Sequence, residues 1–345
     1  MKNSGGISMG TRLMCFGILL TAVLFRLASE PAVRGRSGQA AAYLALWGGQ
    51  PSLEETLPQA PTSSVKEELP EPTEQDYPVF LYTPPQRPQE PGMFSPEDAR
   101  LVSVRNRAEV VFDPEVLICS PLEFDFTASG PLILIVHTHA TEAYTPEEGQ
   151  TYEDMGNYRT TDTQYNVVRV GQALAQTLNA EGIETVHATE LNDLPGYNDS
   201  YARTAQVIED YLRQYPSIQM VIDVHRDAVE NSQGDQLAMT AQLEGEEYAQ
   251  LMLVMGSNAS PLEHPNWEKN LSLALKIQAY CEERDSGFFR TMSLRAQRYN
   301  EHLTSCSILL EVGTAGNTLS QALRSAERFG IHLAELLRAE TGQEA

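Results

Sequence analysis

The sequence predicts an α/β protein with a mainly parallel, twisted sheet flanked by helices. Beyond Pro121, short apolar runs of strand length alternate with amphipathic stretches of helical period, which is the pattern of βαβ units. Three of these runs, Leu132 to Val136, Gln219 to Val224 and Ser307 to Val312, are apolar enough to be buried strands. Each of the three also ends on or beside an imidazole or a carboxylate.

Taken in order, residues 1–28 carry Lys2 and Arg12 ahead of Leu13 to Phe25, LMCFGILLTAVLF, an apolar run interrupted by Arg26. It is short for a span of ~20 residues. It reads as an uncleaved membrane anchor, with a cleaved signal as the alternative, because Ala28-Ser29-Glu30 is a poor A-x-A site. The basic residues put the start of the chain on the cytoplasmic side and the rest outside the cell membrane. Residues 29–95, rich in Pro, Glu, Gln and Ser, have too little apolar surface to offset the entropy of folding and read as a linker. Ala40 to Trp47 is a candidate short helix within it.

Residues 96–345 form the expected folded body. After the Leu132 to Val136 strand, a helix is expected from about Thr163 to Glu181, with Val167, Val170, Leu174 and Leu178 on one face and Gly182 closing it. Thr185 to Ala188 is a short strand, and Asp199 or Ser200 caps a helix that Pro216 ends. The Gln219 to Val224 strand follows. Leu237 to Leu243 and Gln250 to Met255 read as a strand pair on the sheet edge, and Asn266 caps a helix from Trp267 to about Glu283. Ser286 to Leu303 is irregular, Ser307 to Val312 is the third core strand, and Leu319 onward is the closing helix.

Composition narrows the function. A net charge of -23 works against nucleic-acid binding, which needs basic patches. Cys15, Cys119, Cys281 and Cys306 lack CxxC spacing, so neither a disulfide framework nor a thiolate metal site follows. A Cys119–Cys306 or Cys281–Cys306 bridge is one reading of these residues and buried thiols the other.

The chemistry lies at the strand ends. His137, Thr138, His139 and Glu142 follow the first core strand, His225, Arg226 and Asp227 end the second, and Glu311 sits near the end of the third. The crevice beyond the carboxyl ends of parallel strands is where open α/β sheets bind ligands. Imidazole nitrogen and carboxylate oxygen are zinc donors, and a catalytic zinc keeps three protein ligands and one open position. A metal hydrolase also needs an unligated carboxylate as general base, and Glu311, a costly charge inside a strand, fits that role. Its bland alternative is an ion pair with Arg298 or Arg226. Asp227 either orients His225 or caps the next turn. Arg226, Arg290, Arg295 and Arg298 are candidate binders of substrate carboxylates, while Asn300 and Asn317 either donate to a peptide carbonyl or cap loops.

These residues also carry a resemblance. HTHATEAYTP, RTTDTQYNVVRVGQAL, VIDVHRDA, HPNWEKNLSLALKIQ, RYNEHL and LLEVGTAGNTLSQALRSAE resemble, in order, the motifs of the stage II sporulation protein P family, over roughly residues 131–330. The resemblance implies a fold similar to zinc N-acetylmuramoyl-L-alanine amidases and a Zn2+ cofactor. It implies amidase activity on septal peptidoglycan during endospore engulfment, with endopeptidase activity on cross-links. It further implies a mother-cell membrane protein acting at the forespore septum, in partnership with the family's D and M stage II proteins. Carried onto this chain, it makes Glu311 catalytic and His139, Glu142 and His225 the metal ligands, with His137 and Asp162 as alternates. Arg226, Arg298, Asn300 and Asn317 are the expected substrate-binding residues. GTAG after Glu311 departs from the family's glycine pair, and GFFRTMSLRAQ is a loose match. Two other readings compete: a non-catalytic peptidoglycan-binding scaffold of the engulfment machinery, and another secreted zinc peptidase.

Overall fold

The structure, a computed structural model, describes residues 93–342. The expected anchor, the linker up to residue 92 and Cys15 lie outside the described residues. In chain order the elements are β1 (Val104–Asn106), α1 (Pro114–Ile118), β2 (Ile133–Val136), α2 (Val167–Ala180), β3 (Thr185–His187), α3 (Ser200–Gln214) and β4 (Met220–Asp227). They continue with β5 (Thr240–Leu243), β6 (Glu246–Ala249), β7 (Leu251–Met255), α4 (Trp267–Arg284), β8 (Met292–Leu294), β9 (Cys306–Thr314) and α5 (Leu319–Thr341).

One seven-stranded sheet runs in the order β1-β8-β7-β9-β4-β2-β3. Neighbouring strands are parallel except β7 with β9, so two parallel blocks meet at one antiparallel seam. The expected mainly parallel sheet is therefore present. Helices cover both faces. Leu134, Val136 and Val221 pack with Ile208 of α3. Residues one step out of phase, Ile133, Ile135, Ile222 and Val224, join the larger core that includes Leu174 of α2 and Phe329 and Leu333 of α5. Each such fully buried large side chain contributes about 1.5–3 kcal/mol.

Local chemistry sets the helix ends. α2 begins at Val167, later than expected, because Asn166 Oδ1 accepts from Val168 N at 3.0 Å while Asp162 closes its own turn onto Gln164 N. It ends in a Schellman arrangement: Gly182, at φ +78°, donates to Asn179 O, and Ile183 N reaches Leu178 O at 2.9 Å. Thr318 and Gln321 form a capping box on α5. Asn266 stands at the start of α4, yet its side chain makes no cap bond and instead donates to the carbonyls of His302 and Thr304.

The expected edge pair is corrected. Thr240–Leu243 pairs with Glu246–Ala249 in a separate two-stranded hairpin, turned by Glu244 and Gly245 at φ 54° and 87°. Positive φ at both turn residues suits the strand twist of a two-residue loop. β7 instead lies inside the main sheet between β8 and β9, as its almost wholly buried LMLVM requires. The stretch read as irregular contains β8. Cys281 and Cys306 are buried, free thiols.

Candidate active site

Strand order and register assemble the site. β2, β4 and β9 are adjacent and parallel, and His225 and Glu311 are register partners on neighbouring strands. Their side chains therefore share a face, as do those of Asp223 and Leu309 two residues earlier.

The same alternation separates the two candidate histidines of HTH. His137 continues the face of Ile133 and Ile135 and turns toward α2, where its Nε2 would lie 2.5 Å from a Cβ at Gly171. Its Nδ1 is 2.9 Å from Val224 O and its Nε2 is 2.8 Å from His187 Nε2. Both nitrogens are thus engaged, and burial lowers its pKa to about 4. His139 stands past the strand on a turn closed by Glu142 N to His139 O at 3.1 Å. Its ring lies nearly perpendicular to that of His225, with centroids 5.2 Å apart, and is stacked on Tyr197 at 4.1 Å. Burial, and next the neighbouring His225, lower its pKa to about 4. Its Nδ1 is buried without a partner.

Glu142 is buried beside these rings. Its Oε2 is 3.4 Å from His225 Nδ1 and accepts from Arg226 N at 3.2 Å, while Oε1 meets Arg159 Nη2 at 3.2 Å. Burial alone would raise its pKa, but the His225 contact and the Arg226 charge hold it at about 2. His225 Nε2 is 3.0 Å from Asp223 Oδ1, and the two oxygens of Asp223 also accept from Thr138 N and Oγ1. Desolvation pushes the His225 pKa down, yet the two flanking carboxylates outweigh it and raise it. Glu311 is partly exposed as a residue, but its Oε2 is shut off from solvent and unpartnered. Desolvation lifts its pKa to about 8, against the pull of His225. The ion pair with Arg226 or Arg298 weighed for it does not form among the described residues.

The donor set fits zinc. Two ligands of a tetrahedral ion bound at 2.0–2.1 Å stand roughly 3.3–3.4 Å apart, which is the separation of His225 Nδ1 and Glu142 Oε2. The unpartnered Nδ1 of His139 would be the third donor. Among the described residues no three such side chains already stand in a preformed cluster. Asp162, the alternate carboxylate, is exposed and caps its own turn.

The expected substrate-binding side chains are largely committed to the chain itself. Arg226 donates to the carbonyls of Ala143, Asp227, Asn157 and Tyr158 and so clamps the loops over the site. Asn317 bonds Thr314, Met239 and Gln321 and closes the turn after β9. Asn300, at φ 62°, donates to Tyr201 O, and Arg298 to Glu263 O. Asp227 accepts from Ala228 N and pairs with Arg290, so it caps the turn rather than touching His225.

Sequence reading missed Asp223, Arg159, Asp193 and Tyr197. Asp223 had a signal, an acid inside an apolar strand two residues before a histidine. Arg159 bridges Glu142 and Asp193, and its guanidinium lies 4.9 Å from the centre of the Tyr197 ring. That network joins loops distant in sequence.

The Stage II sporulation protein P family matches residues 54–334. Stage II sporulation protein P of Bacillus subtilis (strain 168) is 29% identical over 212 residues, covering 58% of this chain and 49% of that protein. The chain thus matches about half the length of that curated relative. Among solved structures, the N-acetylmuramoyl-L-alanine amidase AmiC2 of Nostoc punctiforme is 13% identical, with a TM-score of 0.37, over 63% of this chain and all of that one. The catalytic domain of CwlV, an N-acetylmuramoyl-L-alanine amidase from Bacillus (Paenibacillus) polymyxa var. colistinus, is 11% identical, with a TM-score of 0.36, over 62% and 99%. At such TM-scores the likeness carries no weight.

Proposed function

Because the chain belongs to the Stage II sporulation protein P family, we propose that it is a peptidoglycan hydrolase that cleaves the N-acetylmuramoyl-L-alanine amide bond in septal cell wall during endospore engulfment. Peptide cross-links are its second target. The observation that carries this reading is the meeting of His139 with His225, and of His225 with Glu311, at the strand ends, with His139 Nδ1 and Glu311 Oε2 buried without partners. A protein that only bound cell wall would gain nothing from desolvating a carboxylate beside an imidazole.

His139, Glu142 and His225 would hold a zinc ion. Bound there, it would supply Lewis acidity toward the scissile carbonyl and acidify water. Glu311 takes the proton of the attacking water as the carbon–oxygen bond forms. It returns that proton to the amine nitrogen as the amide carbon–nitrogen bond breaks, leaving a lactoyl carboxylate and a stem peptide with a free amine. Asp223, held by Thr138, fixes the far side of the His225 ring. Arg159 holds Glu142 by its other oxygen.

In this reading Leu13 to Phe25 anchors the protein in the cell membrane, with the body on the extracytoplasmic side, and the family's D and M stage II proteins are its partners. Among the described residues no helix is long and apolar enough to cross a membrane; the segment in question lies outside them. The test is digestion of purified peptidoglycan by the full chain, with products identified by mass spectrometry. Release of lactoyl-bearing glycans and intact stem peptides, lost with chelator and in Glu311→Gln, is the expected result. No release even with the partner proteins present would leave the wall-binding scaffold.

A further inference from the structure

Four arginines were candidates for a substrate carboxylate, and the structure treats them unequally. Arg226 is spent on backbone carbonyls, Arg298 donates to Glu263 O, and Arg295 Nε donates to Ser293 Oγ. Arg290 is different. Its Nη1 pairs with Asp227 Oδ2 at 2.8 Å, while its Nε and Nη2 are both buried without a hydrogen-bond partner.

Those two nitrogens form one edge of the guanidinium, with parallel N–H bonds spaced to match the two oxygens of a carboxylate. Buried donors left unpaired are costly, so an edge of this kind marks a place where a partner belongs. The backbone of Arg290 is pinned on both sides: its N–H donates to Leu251 O at 2.7 Å and its carbonyl accepts from Gln278. Leu251 opens β7 opposite Val312 of β9, at the same end of the sheet as Glu311. To reach Asp227 on β4 from the segment that precedes β8 and pairs with Leu251, the side chain must pass over β7 and β9, which lie between them. Arg290 therefore overhangs the strand that carries Glu311, and its side chain is 13% exposed.

We propose that the Nε/Nη2 edge of Arg290 receives a carboxylate of the substrate's stem peptide and so sets the preference of this site for acidic peptides. The assignment rests on the hydrolase reading above. Asp227 is the positioning group, fixing Nη1 and with it the orientation of the opposite edge. Glu311 is the competing partner, since its Oε2 is also unpaired, yet no ion pair joins the two.

The test uses the full chain and two muramoyl-peptide fragments that differ at one group, a free carboxylate on the second stem residue or the corresponding primary amide. Wild-type protein should favour the carboxylate form by about tenfold or more in kcat/KM, since a site built to bond a group rejects its analogue. Arg290→Gln should bring the ratio close to one, and Arg290→Lys, which keeps the charge but loses the fork, should fall between. The substrate comparison needs no variant, so it stands even if Arg290→Gln folds poorly. Equal handling of both forms by wild type overturns the proposal, as does a preference that survives Arg290→Gln. An equal fall in kcat on both forms with a displaced pH profile also overturns it, since Arg290 would then act on Glu311. Calorimetric titration of the two free stem peptides separates this proposal from the hydrolase reading. Tighter binding of the carboxylate peptide, lost in Arg290→Gln, supports the site even in a protein that turns nothing over.

Discussion

Gly171→Ala places a methyl group where the structure has no room for it. By helix propensity alone, alanine inside α2 should stabilise by about 1 kcal/mol. Its Cβ would lie 2.5 Å from His137 Nε2, 2.6 Å from His137 Cε1 and 2.9 Å from His187 Nε2. The His137 ring cannot simply step aside, because its nitrogens are held by Val224 O at 2.9 Å and His187 at 2.8 Å. Moving it strains a packed core, at about 1–3 kcal/mol, and leaves a buried nitrogen unbonded, at about 1–3 kcal/mol. Less the propensity gain, the net loss is about 1–5 kcal/mol. For a body of this size that corresponds to roughly 2–4 °C in Tm per kcal/mol. Urea unfolding followed by circular dichroism measures it, and His187→Ala in the same background should recover about 1 kcal/mol or more, because it opens space for the displaced ring. A Gly171→Ala protein as stable as the parent would refute the placement of His137 against α2, and with it the reason for preferring His139 in the crevice.

Other outcomes follow from the same geometry. A carboxyl whose folded pKa stands above its unfolded one favours the protonated form, so Glu311 costs the metal-free protein nothing below about pH 4.5 and most above about pH 8. Glu311→Gln should therefore raise denaturant stability at pH 9 by on the order of 1–3 kcal/mol, allowing for its partial exposure, and change little at pH 4. Zinc titration by calorimetry should show a loss of more than about 100-fold in His225→Ala and nearly unchanged affinity in folded His137→Gln; equal losses would put His137 in the donor set. Lys276 and Glu340 form an ion pair at 2.6 Å, with side chains only 3% and 4% exposed. Lys276→Ala should cost about 3–5 kcal/mol, while the joint change Lys276→Met and Glu340→Leu should be close to neutral in thermal unfolding.

The core strands, the order of the helices and the strand-end chemistry were legible because each depends on periodicity within a few residues. Strand alternation even separates the two histidines of HTH, since His137 falls in phase with Ile133 and Ile135 and His139 lies beyond the strand. What local pattern could not supply was neighbourhood. Nothing within LMLVM says that β7 runs antiparallel to β9 in the middle of the sheet, because an interior strand in either direction is simply apolar. Nothing near Arg226 says that its guanidinium clamps loops some seventy to eighty residues away, or that Arg159 ties Glu142 to Asp193. The sequence by itself determined the α/β class, the three core strands and the residue types at their ends, all set by the side-chain period of the backbone. Tertiary structure alone decided which arginines are spent on carbonyls and which keeps an open edge. It also decided which acid stands behind His225, because long-range hydrogen bonds depend on strand order and register rather than on distance along the chain.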